Sequence, residues 1–182
     1  MNGDTITKCS ATPCGWRGSF IVVKTGQTKY RTWGRNRSVR LPDFDYTDHA
    51  PYHVTVRAHP GTAPFGQSPI AEMVCITLTE FLEEVGAYLG AFCLMPDHLH
   101  VLLSPDCSKL LLGDVVGRFK GLTTNKSWTV GWSGALWQPR FHDHIVRKRE
   151  GITAVAQYIY ENPDRKGLPE DYPYRFVAVG LA

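Results

Sequence analysis

The stretch "CLMPDHLHVLL", residues 93–103, sets two histidines, His98 and His100, one residue apart inside an otherwise apolar run. Side chains alternate along a strand, so His98, His100 and Leu102 would share one face, with Leu99, Val101 and Leu103 on the other. Two imidazoles spaced about 7 Å along one face can converge on a single divalent ion. The spacing alone is weak evidence. Seven histidines in 182 residues give about 0.3 such pairs by chance, and "FHDHIV" holds a second pair, His142 and His144. Context separates the two. The apolar neighbours of His98 and His100 mark a central strand, where buried ring nitrogens need either an ion or matched hydrogen bonds. The second pair flanks Asp143 and reads as an edge or surface strand.

Two histidines leave a metal site short of a third protein ligand. The segment "AQYIYENPDRKG" offers one. Tyr158 and Asn162 stand four apart and so share a face of a short helix. Asn162 brings an amide oxygen, and Tyr158 a phenol able to attack phosphorus. The resulting phosphotyrosine keeps the energy of the phosphodiester for later rejoining. Tyr160 lies about 200° further round the helix and cannot share that site. Pro163 is expected to stop the helix, so that Asp164 does not extend the Tyr160 face. The alternative is structural: Tyr158 packs the helix and Asn162 caps its end.

These residues need elements to hold them. "YHVTVRAH", residues 52–59, alternates as a half-buried strand, with His53, Thr55 and Arg57 on the polar side. Residues 70–89 read as an amphipathic helix broken by Gly90. "AFCLM" and "HLHVLLS" form a hairpin about Pro96-Asp97. "KLLLGDVVGRFKGLTTNKSW" is helical in spacing, "ALWQPRFHDHIVR" extended, "GITAVAQYIYEN" a short helix and "YRFVAV" a last strand. The order predicts one α+β domain with helices packed on a sheet.

Composition is globular, with 43% hydrophobic and 20% charged residues. No apolar run approaches the roughly 20 residues that cross a membrane, and residues 1–16 show no secretory pattern. Five scattered cysteines suggest reduced thiols in a cytosolic protein. Net charge is only +3, yet residues 15–40 hold seven basic side chains and no acid, with Trp16, Tyr30 and Trp33 among them. That mixture suits a phosphate backbone with bases to stack on, or else a solvated basic arm.

The motifs, in this order, resemble the single-tyrosine HUH transposases, and most closely the REP-associated tyrosine transposases. They are "RNRSVRLPDFDYTDHAPYHVTV", "MPDHLHVLL", "LGDVVGRFKGLTT", "LWQPRFHDHIVR" and "YIYENPDRKGL", spanning about Arg35 to Val177. The resemblance implies a ferredoxin-like antiparallel sheet with flanking helices and the histidine motif on a central strand. It implies that Tyr158 is the nucleophile and that His98, His100 and Asn162 bind Mg²⁺ or Mn²⁺. The substrate would be single-stranded DNA near a hairpin, nicked and rejoined through a 5′-phosphotyrosine. A catalytic domain would occupy residues 35–182, behind a basic arm or hairpin at 1–34. Arg35, Arg37, Arg40, Arg118, Lys120, Trp137 and Arg140 are the expected DNA contacts. The expected state is a cytoplasmic, nucleoid-associated monomer, with a dimer as the other option. Two rival readings remain at this point: a domesticated hairpin-binding protein that no longer cuts, and a water-using metal hydrolase.

Overall fold

The computed structural model describes residues 50–105, 108, 110–147 and 151–181. Its elements run β1 (Tyr52–Arg57), α1 (Ser68–Glu84), β2 (Tyr88–Met95), β3 (His98–Ser104), α2 (Leu112–Thr129), β4 (His142–Ile145), α3 (Ile152–Tyr160), α4 (Asn162–Arg165) and β5 (Arg175–Val177). The strands form one antiparallel sheet in the order β4-β1-β3-β2-β5. The first four in that order, joined as β1-α1-β2-β3-α2-β4, are the ferredoxin-like arrangement expected. β5 is added beyond β2. The histidine strand β3 is the middle strand of five, and β4, carrying His142 and His144, is an edge.

Alternation divides the sheet into two faces with different partners. Tyr52, Val54 and Val56 of β1 and Leu99, Val101 and Leu103 of β3 pack with α1 and α2 in the larger apolar core. Ala91, Cys93, Met95 and Leu102 pack with Val155, Ala156 and Ile159 of α3 in a smaller core on the opposite face. α3 lies against β2, β3 and β5 on this second side. The polar residues of β1 and both histidine pairs share this face, because directly paired residues project the same way. Thr55 pairs with His100 and with His142, and His53 with Leu102 and with His144.

Two boundaries differ from expectation. The first helix ends at Glu84, not Leu89, and Gly86 (φ 71°) is the residue that ends it. Gly86 N–H donates to Glu83 O and Ala87 N–H to Leu82 O, the paired bonds of a left-handed glycine cap. Gly90 lies within β2, at a register irregularity between Leu89 and Ala91. A Cβ there would come within 3.1 Å of the Leu102 side chain, so glycine allows the close approach of β2 and β3. Pro163 also acts differently. It does not merely stop a helix but begins the next turn, α4, as its second residue, where a missing N–H costs nothing.

Candidate active site

The hairpin turn at Pro96-Asp97 delivers His98 and then His100 onto the face beneath α3. Their Nε2 atoms approach to 3.1 Å, with the rings edge-on at 4.8 Å. Each ring is held from behind. Asp97 Oδ1 lies 2.6 Å from His98 Nδ1, and His53 Nε2 and Thr55 Oγ1 each lie 3.1 Å from His100 Nδ1. The Asp97 carboxylate therefore accepts a hydrogen bond from His98 Nδ1–H, which leaves the Nε2 lone pair directed at the site.

Burial keeps the deeper rings neutral. It pushes His53 down from the ordinary imidazole value to about 4, with His144 and His142 adding in the same direction. His100 is lowered as well, first by burial, then by His53, His98 and Arg57. Neutral imidazole is the form that ligates metals.

Tyr158 projects from α3 into this cluster. Its ring stands 6.5 Å from that of His100 and 6.1 Å from that of His53, both edge-on. The Arg165 guanidinium lies 4.6 Å over the same ring and pairs with Glu161 at 2.9 Å. Tyr160 points elsewhere. Arg175 covers it at 4.6 Å and ties to both carboxylate oxygens of Asp164 at 3.0 Å. Asn162 is 6% exposed at the seam between α3 and α4. Its Nδ2 donates to Tyr158 O at 2.9 Å and to Ile159 O at 3.3 Å, so it does cap α3.

The donor set suits a divalent ion. Two nitrogens bound at about 2.1 Å to one ion stand about 3.0 Å apart at a right angle and about 3.4 Å at a tetrahedral one. The 3.1 Å separation falls in that range. Among the described residues no group of three or more His, Cys, Asp or Glu could hold an ion.

Several expected DNA contacts are placed differently. Trp137 is 4% exposed, packs against Phe65 at 4.7 Å and donates its indole N–H to Thr123 Oγ1 at 2.8 Å. It is a core residue and cannot stack on a base. Lys120 donates to the carbonyls of Gln138 and Pro139 at 2.6 and 2.8 Å, tying α2 to the loop before β4, so its ammonium is already engaged. Arg118 and Arg140 are exposed. Arg35, Arg37 and Arg40, like the arm at 1–34, lie outside the described residues.

Sequence reasoning missed His53, Asp97 and Arg165. His53 was visible only as one of the alternating polar residues of β1, and its value depends on which strand β1 pairs with. Asp97 adjoins the motif in the turn. Arg165 follows Tyr158 by seven residues, two helical turns, a signal that Pro163 obscured.

The structure thus brings a histidine pair and a helix-borne tyrosine together on a ferredoxin-like sheet. The chain belongs to the IS200-like transposase family, whose profile matches residues 47–162. It is 28% identical over 97 residues to a Haemophilus influenzae protein provisionally named a REP-associated tyrosine transposase, covering 46% of this chain and 55% of that one. It is also 28% identical over 101 residues to the REP-associated tyrosine transposase of Escherichia coli K12, covering 51% and 58%. The chain thus spans a little over half the length of these two curated relatives. In structure it is similar to a REP-associated tyrosine transposase bound to a REP hairpin, with a TM-score of 0.60, 18% identity and 82% of each chain covered. That likeness establishes the shared fold. No helix among the described residues is long and apolar enough to cross a membrane.

Proposed function

We propose that this transposase nicks and rejoins single-stranded DNA beside hairpins, with Tyr158 as nucleophile and His98, His100 and Asn162 holding Mg²⁺ or Mn²⁺. One observation carries the reading: the Nε2 atoms of His98 and His100 converge to 3.1 Å, with the Tyr158 ring 6.5 Å from that of His100. The hairpin bound by the structural relative supports the choice of DNA as partner.

When bound, the ion would polarise a non-bridging oxygen of the scissile phosphate and offset the charge that builds there. Tyr158 Oη attacks the phosphorus, and the bond from phosphorus to the 3′ oxygen breaks. The products are a 5′-phosphotyrosine and a 3′-hydroxyl, which receives a proton to balance the one the phenol gives up. Attack by a 3′-hydroxyl reverses the step and restores the phenol, so no nucleotide cofactor is consumed. Arg165 steadies the Tyr158 ring by its cation–π contact and places positive charge beside the phenol. Exposed Arg118 and Arg140 are available to phosphates.

The test is a labelled hairpin oligonucleotide with a single-stranded flank, incubated with the protein and resolved under denaturing conditions. A covalent adduct should form with Mg²⁺ or Mn²⁺ and vanish in EDTA, in His98→Ala and in His100→Ala, while His142→Ala on the edge strand keeps much of it. Full adduct in chelator would remove the metal from the reading. Clean cleavage without adduct would favour the water-using hydrolase, and intact DNA under every condition the binding protein.

A further inference from the structure

We infer that His53 is a positioning residue for the metal site, accepting the Nδ1–H of His100 and so fixing which ring nitrogen of His100 is offered to the ion. The inference rests on the reading of His98 and His100 as the ligating pair. An imidazole that gives its Nε2 lone pair to a metal must carry its proton on Nδ1, and that proton needs an acceptor.

For His98 the acceptor is the Asp97 carboxylate, 2.6 Å away within the same hairpin. For His100 it comes from another strand. β1 pairs with β3 so that His53 and Thr55 flank the imidazole, with His53 Nε2 and Thr55 Oγ1 each 3.1 Å from His100 Nδ1. The two are not equivalent. Imidazole nitrogen is the more basic acceptor, whereas the Thr55 hydroxyl can turn and donate to Nδ1, which would favour the tautomer protonated at Nε2. His53 is 9% exposed, so little water competes for the contact, and its ring meets Tyr158 edge-on at 6.1 Å. One buried ring therefore touches both a ligand and the nucleophile. The pair is braced from both ends, along Asp97, His98, His100 and His53.

The experiment measures Mn²⁺ binding by paramagnetic resonance on the DNA-free protein, so turnover plays no part in the readout. His53→Leu keeps apolar volume but has no acceptor, and His53→Ala guards against a packing failure in the first variant. Partners of metal-bound histidines typically contribute 10–100-fold in affinity. Both variants should weaken Mn²⁺ binding by about that factor. His53→Gln, whose amide oxygen can accept the same proton, should recover to within a few-fold. Mn²⁺ binding by His53→Leu and His53→Ala that matches the unaltered protein would overturn the inference. So would His53→Gln binding as poorly as His53→Leu, because volume rather than the acceptor would then be at issue. If His98→Ala and His100→Ala also bind Mn²⁺ normally, the fault lies with the ligand assignment itself, a distinct failure.

Discussion

Replacing Thr123 by Val tests the placement of Trp137 in the core. Thr123 is fully buried on α2, where its Oγ1 accepts from the Trp137 indole at 2.8 Å and donates to Phe119 O at 2.8 Å. Valine has nearly the same shape but no oxygen, so the substitution leaves the indole N–H, on a side chain 4% exposed, without a partner. An unsatisfied buried donor costs about 1–3 kcal/mol. A chain of this size loses about 2–4 °C of melting temperature per kcal/mol. The expected fall is thus on the order of 2–12 °C. Thermal unfolding followed by circular dichroism gives the shift, and titration with a fluorescent hairpin well below the transition gives the affinity. The melting temperature should drop and the affinity should hold. An unchanged melting temperature with a clear loss of hairpin affinity would mean that Trp137 works on DNA, contrary to its place in the core.

Acid should destabilise the protein when chelator keeps metal away. His53 has a folded value near 4 against 6.5 for the free side chain, so between those values the unfolded chain binds a proton that the folded chain refuses. Stability therefore falls as pH drops through that window, by up to about 3 kcal/mol from this ring, and His100 acts in the same sense. Melting curves from pH 7 to 4 should show the decline, and His53→Gln should flatten part of it; a level profile in the unaltered protein would contradict the neutral, buried imidazoles. Deleting residues 1–34 removes Arg17, Lys24, Lys29 and Arg31. Hairpin affinity should then depend less steeply on salt, by about 0.7–0.9 in logarithmic slope for each phosphate the arm had neutralised, while cleavage of pre-bound hairpin persists. An equal slope would mean the arm does not touch DNA.

Strands were the more legible part of the sequence because period-2 alternation reports burial directly. The apolar set of Val54, Val56 and Ala58, and that of Leu99, Val101 and Leu103, fall on the face the pattern assigned. Helix ends were harder. "EEVGAYLG" contains two glycines, and only backbone geometry shows that Gly86 takes the left-handed cap while Gly90 admits Leu102. The histidine pair and the two candidate tyrosines were visible as local spacing, and the structure brings Tyr158 alone beside the pair. What surrounds them was not visible. His53 matters because of the β1–β3 register, and Trp137 is buried against Phe65 and Phe119 with α2 presenting Thr123 to its indole N–H, both long-range consequences of topology. A tryptophan beside basic residues reads alike as a core anchor or a stacking platform until its indole partner is known.

In the proposed reaction Tyr158, and not Tyr160, joins the DNA. Tyr158 faces His100 and His53, whereas Tyr160 lies under Arg175 beside Asp164. The direct measurement is peptide mapping by mass spectrometry of the adduct trapped on a hairpin oligonucleotide with Mn²⁺, run in parallel on Tyr158→Phe and Tyr160→Phe. The account predicts the nucleotide on Tyr158, no adduct from Tyr158→Phe despite unaltered hairpin binding, and a normal adduct from Tyr160→Phe. A nucleotide found on Tyr160 would contradict it.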